Sequence, residues 1–208
     1  AEDLMKPSEE SGIPIKIRLC DTMGYGVTYP GAAAPRSVAK LAYAFHHEVG
    51  VPAAQLEWHG HNDFGLATAA AIAAVRGGAD FIQGTINGMG ERAGNADICE
   101  VALALQCLYN VPVALNLEKA REISQLVQRA GGYAVDGWKP VVGEFLYTRE
   151  SGAVAARGFP DLQSISHGLF NSGALEHYAY DFSVPGPPAS GAFRNKTVIN
   201  RHNRKGGV

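Results

Sequence analysis

The chain has 208 residues, of which 46% are apolar and 18% charged, which is ordinary for a globular protein with one sizeable core. The formal net charge of −2 gives no general attraction to nucleic acid or to an anionic membrane. No apolar run reaches the roughly 18 residues of a membrane-spanning helix. We therefore expect neither nucleic-acid nor membrane partners.

The cysteines and the chain ends carry less information. Cys20, Cys99 and Cys107 follow no disulfide-like or zinc-like spacing, which favours reduced thiols and a cytoplasmic location. The opening segment "AEDLMKPSEESG" is polar and acidic, unlike a signal peptide, and predicts the last turns of a helix that ends at Gly12. Because the chain starts inside such an element, we expect it to be a fragment.

Up to residue 110 the sequence predicts strands alternating with helices. The β-branched, alternating segment 13–20 predicts a strand. Apolar residues at helical spacing predict a helix over 35–50, with Gly50 as its stop. The same rules predict, in chain order, a strand over 55–59, an alanine-rich helix over 65–78, a strand over 80–86 and a helix over 95–110 that starts near Asn95 or Asp97.

Three strand-then-helix units joined by short connections predict an α/β fold with a parallel sheet, either doubly wound or closed into a barrel. In both architectures the chemistry lies at the C-terminal ends of the strands. One more amphipathic helix is predicted over 115–132. From Tyr133 on, the chain is rich in Gly, Pro and Ser, and we expect this tail to need a partner or the rest of its own chain to fold.

A polar cluster follows each of the three predicted strands. Parallel strands bring their C-terminal ends to one edge of the sheet, so the three clusters are expected to form one active site. The clusters comprise Asp21 and Thr22 after the first strand, His59, His61, Asn62 and Asp63 after the second, and Glu91, Arg92 and Asn95 after the third.

His59 and His61 carry the clearest chemical signal. Residues two apart on a strand point to the same side, so both imidazoles can face one ion. Imidazole suits Zn, Mn, Co or Fe, and a catalytic site needs a third protein ligand, for which Asn95 is the candidate. A pair of structural histidines at a strand end is the alternative.

The loop "GMGERAGN" is rich in glycine, which lets the backbone approach a ligand closely. Within it, Arg92 either pairs with Glu91 or neutralises a substrate carboxylate. An ordinary strand-to-helix turn is an equally simple interpretation of these two residues.

The segments "LCDTMGYG", "HGHNDFG" and "GMGERAGN", in this order, resemble the DRE-TIM metallolyases over roughly residues 11 to 110. They are most similar to the Claisen-condensing branch of 2-isopropylmalate, homocitrate, citramalate and Re-type citrate synthases. The segment 139–155 resembles the region that follows the barrel in these enzymes. The resemblance implies that residues 1–114 are the last βα units of a TIM (β/α)8 barrel, and that residues 115–208 are a post-barrel helix and linker.

The resemblance also implies a site and a reaction. His59, His61 and Asn95 would bind a divalent metal (Zn, Mn, Mg or Co), Thr22 and Arg92 would bind substrate, and Glu91 and Asp63 are candidate catalytic residues. The substrates implied are acetyl-CoA and a 2-oxo acid, in the manner of enzymes of amino-acid biosynthesis, and a homodimer is expected for the full-length enzyme. The aspartate and arginine of the family's first-strand Arg-Asp-Gly-like motif have no counterpart in this sequence.

Three alternatives remain at this point. An acyl-CoA lyase of the 3-hydroxy-3-methylglutaryl-CoA type would use a related site, but such lyases carry a cysteine in the loop that here is "GMGERAG". A truncated or barrel-completing subunit would have no activity of its own and would have to cover its sheet edges. A doubly wound metal-binding protein unrelated to the family is the third, and the order of the motifs argues against it.

Overall fold

The structure is a computed structural model that describes residues 1–144 and residue 146. The chain divides into two compact units, Ala1–Val113 and a second unit that begins at Ala114. The resemblance of the segment 139–155 to the region that follows the barrel lies, beyond Glu144 and apart from residue 146, outside the described residues.

The first unit alternates helices and strands. Its regular elements are α1 (Glu2–Ser11), β1 (Ile17–Asp21), α2 (Val38–Tyr43), β2 (Leu56–Gly60), α3 (Ala67–Arg76), β3 (Phe81–Gln83) and α4 (Ile98–Tyr109). α2 continues as a π-helical turn over Ala44–Glu48, and short 3₁₀ turns span Ala53–Gln55 and Ile86–Gly88. In the second unit, a 3₁₀ turn over Leu117–Lys119 leads into α5 (Ala120–Gly131).

The three strands form one parallel sheet in the order β1-β2-β3. Cys20 lies opposite His59 between β1 and β2, and His59 lies opposite Gln83 between β2 and β3. The prediction of an α/β fold with a parallel sheet is therefore confirmed.

One face of the sheet packs against the helices. Ile17 and Leu19 of β1 and Leu56 and Trp58 of β2 are all at most 8% exposed and belong to one apolar core with the inner faces of α2 and α3. The alternating residues point to the other face, where Arg18 donates to the Glu57 carboxylate at 2.5 Å.

The alanines of α3 allow that helix to lie very close to its neighbours. Ala67, Ala70, Ala71 and Ala74 are each at most 2% exposed. At the end of the helix, a Cβ on Gly77 would lie 2.5 Å from the carbonyl oxygen of Ala39 in α2. Small side chains at these positions let α2 and α3 pack against each other and against β2.

Several element boundaries differ from the sequence-based expectation, each for a tertiary reason. α2 begins at Val38 rather than near 35, because Val27 and Ser37 form a bridge just before it. β3 ends at Gln83, because Thr85 pairs instead with the segment that leads into α4, donating its N–H to the Ala96 carbonyl at 2.9 Å.

The helix expected over 95–110 begins at Ile98. Asp97 is its N-cap, and the Asp97 carboxylate accepts hydrogen bonds from the backbone N–H groups of Cys99 and Glu100. Asn95, the other candidate for the start of this helix, lies outside it.

The second unit places a charged side chain in its interior. Arg121 of α5 is 4% exposed and donates to the carbonyl oxygens of Val142 and Gly143, at 3.3 Å each. The Asn116 side chain accepts from the N–H of Glu118 at the start of the preceding turn. The helix predicted over 115–132 is thus present, with a 3₁₀ first turn.

No helix in the described part of the chain is both long and apolar enough to cross a membrane.

The cap of α4 gives a first test. Asp97→Ala removes the acceptor for two N–H groups and should lower the free energy of unfolding by about 1 kcal/mol. Asp97→Asn keeps a side-chain oxygen in place and should remain near wild type. Urea unfolding followed by circular dichroism measures both, and equal losses in the two variants would contradict this role of the oxygen.

Candidate functional site

The C-terminal ends of the three strands and the loops that follow them are tied together by backbone hydrogen bonds. The N–H of His61 donates to the carbonyl of Asp21 at 3.2 Å, which joins the ends of β2 and β1. The N–H of Asn62 donates to the carbonyl of Gly94 at 2.9 Å, which joins the end of β2 to the glycine-rich loop. The three predicted polar clusters therefore do meet at one edge of the sheet.

His59 and His61 converge as the two-residue spacing predicts. Their Nε2 atoms lie 3.2 Å apart, and the two rings are perpendicular, at an interplanar angle of 89°. His61 is 8% exposed, and its Nδ1 is buried with no hydrogen-bond partner among the described residues.

Asn95, in the segment before α4, lies beside His61. It forms an isolated antiparallel bridge with His61, and residues opposite each other in such a bridge have side chains on the same face, with Cβ atoms about 4.5–5.5 Å apart. Its Nδ2 donates to the carbonyl of Gly60 at 3.4 Å, and the residue is 8% exposed. The buried amide thus lies next to the imidazole of His61.

Gly90 makes room for the amide oxygen. A Cβ at residue 90 would lie 1.9 Å from Asn95 Oδ1, far inside van der Waals contact. In the same loop, a Cβ at Gly94 would lie 2.0 Å from the carbonyl oxygen of Gly88, and Gly94 has a positive φ of 90°. Two glycines of "GMGERAGN" are therefore required by the space around Asn95 and by the path of the loop.

The spacing of the two imidazoles is compatible with one divalent metal ion. Two nitrogens bound to one ion at about 2.0–2.1 Å lie about 2.9 Å apart at a right angle and about 3.4 Å apart at the tetrahedral angle. The observed 3.2 Å between the two Nε2 atoms falls in that interval.

The electrostatics of His59 also suit ligation. Burial lowers the pKa of His59, and His61 and Arg18 lower this pKa further, while Glu57 opposes the change. A lowered pKa keeps the imidazole neutral near pH 7, which is the form that binds a metal.

Asp63, Arg92 and Thr22 form a second cluster at the rim. Arg92 donates to both carboxylate oxygens of Asp63, at 2.7 and 3.0 Å, and to the backbone carbonyl of Thr22 at 2.5 Å. The hydrogen bond from Arg92 is the main reason that the pKa of Asp63 is lowered. Arg92 adopts a left-handed φ of 57°, so these contacts hold a strained residue that links all three loops.

The remaining predicted residues have different surroundings. Glu91 is exposed, and its backbone carbonyl accepts from the N–H of Gly94 at 3.0 Å. Asp21 closes the loop after β1, since its two carboxylate oxygens accept the N–H groups of Tyr25 and Gly26 at 2.8 Å each. Asp21 therefore has a structural role in shaping the segment that presents Thr22.

The ligand set is incomplete as a metal site. Within the described ranges, no three His, Cys, Asp or Glu side chains are grouped so as to hold a metal ion. Two imidazoles and one amide are present, and the aspartate expected from the resemblance has no counterpart here.

Two residues beside the histidine pair were missed by the sequence analysis. Cys20 and Gln83 lie opposite His59 on the flanking strands and point to the same face. The alternation of polar residues along β1 and β2 is a signal that could have identified this face.

Several known proteins are similar to this chain in sequence. A family model described as HMGL-like matches residues 3–127, more than half of the chain. A citrate (Re)-synthase from Syntrophus aciditrophicus is 41% identical over 83% of this chain and 27% of its own length. A 2-isopropylmalate synthase from Caldanaerobacter subterraneus is 38% identical over 66% of this chain and 33% of its own length.

The chain thus spans between a quarter and a third of these two relatives. Among solved structures, an HMG-CoA lyase from Acinetobacter baumannii superposes with a TM-score of 0.50 at 21% identity, covering 64% of this chain and 42% of the lyase. That likeness supports the fold alone.

The space at Gly90 gives a test of the metal hypothesis. Gly90→Ala must displace the Asn95 side chain, and we expect the affinity for Zn²⁺ or Mn²⁺ to fall by about tenfold or more. Isothermal titration calorimetry measures this, with Met89→Ala, a change at a half-exposed neighbour, as the matched control. Wild-type affinity in Gly90→Ala, at unchanged melting temperature, would contradict the placement of Asn95 among the ligands.

Proposed function

The chain belongs to the HMGL-like family, and on that premise we propose that it is part of a metal-dependent acyltransferase that condenses acetyl-CoA with a 2-oxo acid. The observation that carries the proposal is the approach of the His59 and His61 Nε2 atoms to 3.2 Å, beside Asn95, at the C-terminal ends of parallel strands. Two relatives are named as a citrate synthase and a 2-isopropylmalate synthase, which supports acetyl-CoA and a 2-oxo acid as the substrate class.

We place the described sheet at the end of a closed barrel. β1 and β3 each pair with one strand only among the described residues, so each presents an edge that further strands can cover. The polar face with Arg18, Glu57 and His59 would then line the barrel interior. In this proposal residues 1–114 supply the last three βα units, and residues 115–208 supply the helix and linker that follow them in the chain.

His59, His61 and Asn95 are the proposed metal ligands. When bound there, a divalent ion would act as a Lewis acid on the ketone of the 2-oxo acid. Thr22 is exposed at the mouth of the site, where its hydroxyl can bind the carboxylate of that acid.

Arg92 is proposed to bind substrate from the rim while it fixes the loops. Nε and one terminal nitrogen of its guanidinium are engaged by Asp63 and Thr22, which leaves the other terminal nitrogen to face an anionic group. Removing Arg92 would therefore disturb both the position of Thr22 and the charge at the mouth.

The two candidate catalytic carboxylates have different surroundings. Arg92 lowers the pKa of Asp63, which makes that carboxylate a poor proton acceptor and suits it to electrostatic positioning. Glu91 is exposed next to the same arginine and is the better candidate to take a proton from the methyl group of acetyl-CoA. The carbanion equivalent would attack the ketone carbon, and thioester hydrolysis would release CoA.

Release of CoA tests the proposed reaction. We expect the protein encoded by the longest reading frame that contains this chain to release CoA from acetyl-CoA with at least one of oxaloacetate, pyruvate, 2-oxoisovalerate or 2-oxoglutarate, in the presence of Mn²⁺ or Zn²⁺. A chromogenic disulfide reagent measures the free thiol, and omission of the 2-oxo acid is the control. No release with any acid, from a folded protein, would overturn the proposal and favour a subunit without activity of its own.

The histidine pair gives a sharper test. His59→Ala and His61→Ala should each lower metal affinity by more than about 100-fold, which exceeds the usual effect of losing a residue that only orients a ligand. CoA release should fall in parallel. His47→Ala, at an exposed position on the π-helical turn, is the matched control and should behave as wild type. Full metal binding in either strand variant would exclude that histidine as a ligand.

A further inference from the structure

A cavity of about 640 Å³ lies on the outer side of the helices and shares no residue with the strand-end site. It is bounded by the loop after β1, by α2 with its π-helical turn, by α3 and by the end of α4. Its volume is within the range of about 300–1,000 Å³ typical of small-molecule sites.

The lining of the cavity is largely apolar. Alanines of α2 and α3, among them Ala69, together with Ile72 form much of its lining. Tyr43 adds an aromatic side chain to the lining, and this residue is 53% exposed. Such a surface suits a compact apolar or aromatic body.

The rim is cationic. Lys40 and Arg76 both line the cavity, and both are exposed, while Glu48 is the opposing charge there. Lys40 Nζ donates to the carbonyl of Ala32 at 2.9 Å, which anchors the side chain at the rim. Arg76 has no ion-pair partner within the described part of the chain, and its planar donors are available for an anion.

We propose that this cavity is a second binding site, for a small organic anion with an apolar or aromatic body. The carboxylate or phosphate of the ligand lies between Lys40 and Arg76, and its apolar body rests on the alanines of α3. The proposal does not depend on the reaction at the strand ends, because the two sites share no side chain.

The fluorescent aromatic anion 1-anilinonaphthalene-8-sulfonate (ANS) is a suitable probe for the full chain. We expect saturable binding that weakens at least fivefold in Lys40→Gln and in Arg76→Gln, which each remove one rim charge. Lys6→Gln removes the same charge from α1, away from the cavity, and should bind ANS as wild type does. Ala69→Phe fills the cavity and should abolish the same binding event.

Two outcomes overturn the proposal. One is the absence of saturable ANS binding to the wild-type chain. The other is binding that both rim variants leave unchanged, which would place the dye on another apolar surface; these variants alter exposed side chains, so the test holds even if Ala69→Phe misfolds.

Competition identifies the head group. Phenylacetate and phenyl phosphate offer the same aromatic body with a carboxylate or a phosphate, and displacement of ANS by either supports the site and assigns its preferred anion. Bound ANS that neither compound displaces at millimolar concentration would overturn the assignment to a small organic anion. CoA release is not needed as a readout, so failure of the proposed reaction and failure of this site can be told apart.

Discussion

The parallel register of β2 between β1 and β3 is the constraint on which the rest of the structure depends. It sends Leu56 and Trp58 to the helices and Glu57 and His59 to the opposite face. A slip of one residue would exchange the two sets and place charged side chains in the alanine-lined core. Burial of Trp58, at 2% exposed, therefore fixes the direction in which His59 points.

The loops after the strands convert that register into a site. The carbonyl of Gly60 accepts from both the backbone N–H of Ala96 and the side chain of Asn95, at 3.4 Å each. This junction joins the end of β2 to the segment before α4, more than thirty residues further along the chain. This junction requires glycine at positions 90 and 94, because a side chain at 90 would collide with Asn95 and one at 94 with the carbonyl of Gly88.

Charged residues act differently at the histidine pair and at the rim of the site. Near the histidines, burial and the neighbouring Arg18 keep the imidazole of His59 neutral, as a metal ligand requires. At the rim, the Arg92 guanidinium binds the Asp63 carboxylate and the Thr22 carbonyl, which couples the positions of three loops. A single arginine in a left-handed conformation thus connects the loops that follow the three strands.

Local pattern in the sequence determined the order of strands and helices, the parallel α/β fold and the convergence of His59 and His61. These follow from periodicity within a few residues, which the backbone geometry of a strand or helix fixes directly. The segments "LCDTMGYG", "HGHNDFG" and "GMGERAGN" also carried enough of the family pattern to predict membership, which the family match confirmed.

Only the tertiary structure decided what depends on contacts between distant segments. From the sequence, the partner of Arg92 could be Glu91 or a substrate carboxylate. In the fold, Arg92 pairs with Asp63, 29 residues away. The sequence also allowed α4 to start near Asn95 or near Asp97. In the structure Asp97 is the N-cap, and Asn95 forms a bridge with His61 instead. The cavity beside α2 and α3 has no local signal either, because its lining comes from four separate segments of the chain that only the tertiary fold brings together.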